Sequence, residues 1–169
     1  MKNWHLLMTK PREDERAESH LLNQNYELFR PMIRQFSVKR GKQVPVVEPL
    51  FPRYLFIRLD DVLGNWSKIR STRGVAKMVR FTDMPARVPD TLIEALRSQC
   101  IESNIIDTTE DKPFVFEEGD EIEITEGSFR GIKAIIKEQV AEDRVLLLLT
   151  LLGKEQALEI SLNQVKSIS

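Results

Sequence analysis

The chain is poor in cysteine, histidine and glycine, and each shortage removes a class of function. Cys100 is the single cysteine in 169 residues and His5 and His20 are the only histidines, so no internal disulfide can form and no Cys/His cluster has the spacing of a zinc site. The seven glycines build neither a phosphate-binding P-loop nor a dinucleotide GxGxxG turn. His5 and His20 fall on different predicted elements, so no catalytic constellation emerges either. No enzyme, metal or cofactor is expected. Long apolar runs are also missing: nothing approaches the roughly 18 consecutive residues of a membrane span, and MKNWHLLMTKPREDE meets charge before a signal-peptide core could form. A cytoplasmic protein with no membrane partner is the expectation.

What is present is an uneven distribution of charge. The net charge of -1 and 41% hydrophobic content are unremarkable for a chain able to bury a core. Residues 1–101, however, hold 18 Lys+Arg against 11 Asp+Glu, a net of +7, and residues 102–169 hold 7 against 15, a net of -8. A basic half is the electrostatic footprint of a nucleic-acid or acidic protein partner, whereas an acidic half is repelled by phosphates.

In the basic half, Asn3 to Met8 reads as a first strand and Arg12 to about Asn25 as a helix with Ala17 and Leu21 on its apolar stripe. Tyr26 to Met32 reads as a second strand, interrupted by Pro31. Ile33 to Val47 is polar and basic, and its Lys39, Arg40, Gly41, Lys42 turn predicts a projecting hairpin. Tyr54 to Leu59 alternates: Leu55, Ile57 and Leu59 face a core, while Tyr54 and Phe56, joined by Leu50 and Phe51, face the other way with no evident partner. A turn or short helix follows at Val62 to Ile69, then a loop Ser71 to Gly74, a strand Val75 to Phe81, and a helix from Pro89 to about Ser103 that carries Cys100 at helical spacing. The result is an α+β fold, an α/β sandwich over residues 1–101.

Residues 102–113 read as a polar linker, and 114–169 as a small C-terminal domain with two incompatible patterns. Glu121 to Thr125, Ile132 to Lys137, Val145 to Leu152 and Ala157 to Ile160, with a turn at Gly127 to Gly131, suggest a small β-barrel. Yet a strand VLLLLTLL would turn Leu146, Leu148 and Leu152 outward, and leucine favours helix. Ile132, Ile135, Ile136 and Val140 likewise fall at helical spacing. As two helices, the same residues could pack on the stray apolar surface at Phe51, Tyr54 and Phe56.

Trp4, EPLFPRYLFIRLD (48–60), IRSTRGVAKMVRF (69–81) and the KOW-like EEGDEIEITEGSFRGIKAII (117–136) together resemble the NusG family of transcription elongation factors over nearly the whole chain. Arg73, with Arg12, Arg16 and His20, brings it nearer the specialised RfaH branch. The resemblance implies an operon-specific antiterminator with a NusG-type N-terminal domain and a C-terminal domain that is either a KOW barrel or an α-helical hairpin docked on it. It implies binding to the β′ clamp helices of RNA polymerase through Leu50, Phe51, Tyr54 and Phe56. It also implies a β gate-loop contact at Asn65, Trp66 and Ser67, where a His-Thr-Thr pattern is typical. The C-terminal domain would recruit the ribosome through a small-subunit ribosomal protein, at Leu151 and Leu152. A monomer is expected.

On a regular first helix Arg12, Arg16, His20 and Asn23 share one face, and Lys10, Thr72 and Arg73 extend it into a patch suited to phosphate and exposed bases. The resemblance makes its target the non-template DNA strand at a pause element; the plain alternative is a solvated helix face carrying Glu13, Asp14, Glu15 and Glu18. If the C-terminal half docks, Glu48 is expected to pair with Arg144. The competing function is a ribosome-associated or RNA-binding KOW protein, which shares a barrel and a basic domain.

Overall fold

A computed structural model describes residues 2–109 and 131–168, with side chains in the last helix described through residue 154. Strand β1 (Asn3–Thr9) is buried along almost its whole length, the mark of a strand covered on both faces. It lies between β5 (Tyr54–Leu59) and β6 (Val75–Met78); β2 (Glu27–Phe29) flanks β5, and the short β7 (Arg87–Val88) also pairs with β1. All these pairings are antiparallel. One face carries Leu7, Leu55, Ile57 and Leu59, packed with Ala17 and Leu21 of α1 (Asp14–Asn23) and Ile69 of α2 (Val62–Ile69). The opposite face carries Trp4, Leu6, Phe29 and Phe56, packed on Leu92, Ile93 and Leu96 of α3 (Asp90–Ser98). Arg97 lies 5.2 Å above the Trp4 ring and 5.1 Å from that of Phe29, closing this core with a cation over aromatic faces.

A second sheet, in the order β4 (Lys42–Pro49), β3 (Met32–Lys39), β9 (Ile105–Asp107), β8 (Cys100–Glu102), stands beside the first. It corrects three sequence expectations. Pro31, which can donate no ladder bond, separates β2 from β3, so Met32 opens the hairpin instead of ending the preceding strand. The third helix stops at Ser98 and not Ser103, because Ser103 and Asn104 adopt left-handed φ angles of 41° and 63° and turn the chain from β8 into β9. Cys100 is therefore on a strand; burial pushes its thiol up to about 11 against the opposing pull of Arg97. Finally, the stretch read as linker begins with structure: Ile105–Asp107 pairs in parallel with Met32–Arg34. Asp107 is held below its ordinary carboxyl range, first by the Thr109 hydroxyl and also by Arg34.

The described C-terminal residues are helical. Residues 131–137 form α4, and α5 runs from Ala141 to Ile168. The strands expected at Ile132 to Lys137, Val145 to Leu152 and Ala157 to Ile160 are thus helix in this structure. Helical spacing stacks Arg144, Leu148 and Leu152 on one face, and all three are fully buried. Val140, expected on the apolar face of Ile132 and Ile135, sits in the connection between the helices and is half exposed. The expected strand at Glu121 to Thr125 and turn residue Gly127 lie outside the described residues. No helix among the described residues is long and apolar enough to cross a membrane.

Candidate functional site

The apolar surface that lacked a partner in the sequence is covered by α4 and α5. Leu50, Phe51 and Phe56 are buried in one cluster with Ile132, Ile135, Leu148 and Leu152, and Tyr54 is partly buried against it. Phe56 stacks on Phe29 at 5.9 Å and meets Phe51 in a T-shaped arrangement at 6.1 Å. Each such side chain withdrawn from water stabilises the contact by about 1.5–3 kcal/mol.

One polar side chain lies within this apolar contact. Arg144 is completely buried, and each of its five donors has a partner. Nε donates to the Leu50 carbonyl at 2.9 Å, Nη1 to the carbonyls of Glu138 and Gln139 at 3.0 and 3.1 Å, and Nη2 to Glu48 Oε1 at 2.8 Å and the Pro49 carbonyl at 3.5 Å. Glu138 and Gln139 end the turn after α4, so one guanidinium caps that helix and binds it to the β4–β5 connection. Gln35 Nε2 donates to the same Glu48 oxygen at 2.6 Å and to the Gln139 carbonyl at 3.3 Å. Arg144 is fully buried while Glu48 is 36% exposed, so the guanidinium depends on this set of acceptors whereas water still reaches the carboxylate. Leu151 and Leu152 are not jointly accessible here: Leu152 is fully buried and Leu151 partly buried.

The second group of candidates gathers at the far end of β1. The Glu13 N–H donates to the Lys10 carbonyl at 3.0 Å, closing a turn with Pro11 second and Arg12 third, and Arg12 takes φ 63°, as the third residue of a type II turn must. Arg12 therefore precedes the helix, and the expected ladder of four shortens to Arg16, His20 and Asn23. Arg16 also pairs with Glu13 at 2.9 Å, an exposed contact of small value. Arg73 occupies the second position of another turn, closed by the Val75 N–H on the Thr72 carbonyl at 3.2 Å with Gly74 at φ 91°. A Cβ on Gly74 would lie 2.8 Å from the Ala17 nitrogen, so only glycine lets this loop sit against α1. The Lys10 N–H donates to the Gly74 carbonyl at 2.8 Å, placing Lys10, Arg73 and the start of α1 side by side. Lys10, Arg12, Arg16, Asn23 and Arg73 are exposed; Thr72 is buried.

Two residues here escaped the sequence reading. Gln24 Nε2 donates to Thr72 Oγ1 at 3.0 Å, tying the end of α1 to the Arg73 loop. Arg53 has φ 72°; its N–H donates to Asp14 Oδ2 at 2.7 Å, its Nε to the Thr9 carbonyl at 3.2 Å, and its carbonyl accepts the Thr9 N–H at 2.7 Å. That adds a cation beside Lys10. Its one sequence signal was the position after Pro52, a turn context.

The third group is dispersed in role. Asn65 accepts from the Tyr26 hydroxyl at 3.2 Å and donates to the Asp61 carbonyl at 2.6 Å, Trp66 packs against the core under α1, and only Ser67 is exposed. Among the described residues no group of three His, Cys, Asp or Glu side chains could hold a metal ion.

The family model described as transcription termination factor nusG matches residues 2–97. The transcription termination/antitermination protein NusG of Rickettsia felis is 23% identical over 176 residues, spanning 98% of this chain and 90% of its own. NusG of Deinococcus radiodurans is 24% identical over 186 residues, with 96% and 97% covered. A solved structure described as "Domain interaction in Thermotoga maritima NusG" is similar at a TM-score of 0.37 and 19% identity, over 56% of this chain and 55% of that one. With a family match across more than half its length, the chain belongs to the NusG family of transcription termination and antitermination factors.

Proposed function

We propose that this chain is an operon-specific, RfaH-type elongation factor and antiterminator whose polymerase-binding surface is kept covered until DNA is engaged. The observation that carries this reading is the burial of Leu50, Phe51 and Phe56 under α4 and α5, with Arg144 fixed on Glu48. A covered surface makes binding wait on a second signal, which is what selective recruitment requires. The exposed cations at Lys10, Arg12, Arg16 and Arg73, with His20, Asn23 and Thr72, form the group assigned to the non-template strand at a pause element. They lie on the opposite side of the first sheet from the covered surface, so DNA can be read while the polymerase face is closed. On release, Leu50, Phe51, Tyr54 and Phe56 take the β′ clamp helices as aromatic anchors, and α2 supports a β gate-loop contact through Ser67 more than through Asn65 or Trp66.

In this reading residues 1–101 are the polymerase and DNA module, with the sheet extended to Asp107, and the C-terminal module refolds from helices to a KOW barrel when displaced. Leu151 and Leu152, engaged in the docked form, then become available to a small-subunit ribosomal protein. NusG membership favours this over a ribosome-associated KOW protein. The test is recruitment: tagged chain added to elongation complexes paused on target and non-target templates should be retained only on the former. Arg73→Ala should abolish that preference, and equal retention on both templates would refute operon specificity.

A further inference from the structure

The β3–β4 hairpin is only half supported. Its base is sheet: β9 pairs with β3 from Met32 to Arg34, Gln35 meets the connection between α4 and α5 at Gln139, and Glu48 meets α5 at Arg144. Beyond Arg34, among the described residues, nothing pairs with the outer edge of β3, so the rest is a two-stranded ribbon, an arrangement that is marginal in water without a third strand.

The direction of the unused backbone groups follows from the turn. Arg40 and Gly41 have φ of 52° and 78° and form a two-residue loop between the paired Lys39 and Lys42, so Lys39 and Lys42 are a hydrogen-bonded pair. Alternation then gives the odd-numbered β3 residues to β4 and turns the N–H and C=O groups of Arg34, Phe36 and Val38 outward. The Arg34 carbonyl confirms the parity by accepting the Thr108 N–H at 2.9 Å. Among the described residues nothing takes up the same groups of Phe36 and Val38. The two edges of the ribbon also differ. On β4, Pro45 stands opposite Phe36, so the missing N–H falls on that strand's outer edge and blocks pairing there. On β3 no proline intervenes.

The side chains select what fits. Phe36 (47% exposed), Val38 (70%), Val47 (46%) and Pro45 line one face of the ribbon. The other face ends in Lys39 and Lys42. Residues 33–47 contain Arg34, Lys39, Arg40 and Lys42 and no Asp or Glu. We infer that the open β3 edge at Phe36 and Val38 is a strand-addition site for an extended segment of a protein partner in which apolar and acidic residues alternate. The added strand lays its apolar side chains beside Phe36 and Val38 and its carboxylates beside Lys39, while its backbone takes up the two outward N–H and C=O pairs. A second copy of this chain does not fit, because its acid-free ribbon would set like charges together. Nucleic acid fits less well, because the apolar face carries Arg34 alone, already paired with Asp107 at 3.0 Å, and a phosphodiester cannot complete a β ladder.

The test is an amide NMR titration of the full-length chain with three probes: a blocked peptide of alternating Glu and Val, its Lys/Val counterpart, and a DNA duplex. The Glu/Val peptide should shift and protect the Phe36 and Val38 amides from exchange. Val38→Pro removes one outward N–H without touching the bonds to β4, and should weaken that peptide by about tenfold. Lys39→Glu, which leaves the backbone alone, should exchange the preference in favour of Lys/Val. Equal binding of both peptides, no response at Phe36 and Val38, or a response to the duplex alone would each overturn the inference.

Discussion

The two ends of the chain meet at one surface yet hold their shapes in different ways. In residues 2–109 each element is specified twice, by local pattern and by partners. β1 is buried on both faces, α1 carries Ala17 and Leu21 to the sheet, and Gly74 fits where no side chain could. In residues 131–154 the local pattern admits both strand and helix, and the helical form buries Ile132, Ile135, Leu148 and Leu152 on a face supplied by the other half. The contrast teaches where the chain is open to a second fold: on the proposed reading the C-terminal helices are conditional on their neighbour, which supplies the face that buries their apolar side chains.

Substitutions that break one region and spare the other test that contrast. The largest effect is expected from Arg144→Ala, which empties a fully buried site and leaves the Leu50, Pro49 and Glu138 carbonyls without the arginine's N–H groups, with Gln35 alone still donating to Glu48 and Gln139. Docking should weaken by about 2–5 kcal/mol from the lost buried side chain and its charged hydrogen bonds, seen as loss of amide-exchange protection in 131–154 with the β1 and β5 amides unchanged. Next comes Gly74→Ala, a strained φ combined with a backbone clash at Ala17, expected to lower the stability of the N-terminal sheet by about 2–3 kcal/mol in denaturant unfolding. Glu48→Ser leaves Arg144 with its carbonyl partners, and one charged hydrogen bond is worth about 1.5–3 kcal/mol; its effect on C-terminal helix content should fall short of that of Arg144→Ala. Arg12→Gly relieves a left-handed arginine and should raise folding stability by about 1 kcal/mol at most, read as a small rise in the thermal midpoint, while weakening binding to single-stranded DNA.

The smallest effect is one of pH. The Asp107 carboxyl is depressed in the fold by Thr109 and Arg34, so its contribution is complete above its ordinary value of 3.8 and is lost as pH falls through the lower folded value. Exchange protection at the β3–β9 pairing should therefore decline on acidification below about pH 4, before the β1–β5 amides respond.

Much of this was legible in the sequence where one signal dominated. The alternation in Tyr54 to Leu59 marked both faces of β5, and the unpartnered aromatic side pointed to a cover that the structure supplies. The Lys39 to Lys42 turn marked the hairpin. Readings failed where a short-range preference was outweighed. Cys100 continued a helical spacing, but the left-handed pair Ser103 and Asn104 made a strand turn. Arg12 continued a helical ladder, but Pro11 set a turn before the helix could begin. Gln24 and Arg53 were missed because their roles depend on partners 48 and 44 residues away, which no local pattern encodes. Of the two patterns after residue 131, the helical one is the one the structure shows; the strand pattern lost because helices bury Ile132, Ile135, Leu148 and Leu152 together.

The central claim is that the helical shape of the C-terminal half depends on the N-terminal surface. Far-UV circular dichroism of residues 111–169 alone, set against their contribution within the full chain, tests it most directly. Helix that is present in the full chain and replaced by strand signal in the isolated fragment is the predicted result. An isolated fragment that keeps the same helix content would contradict the account.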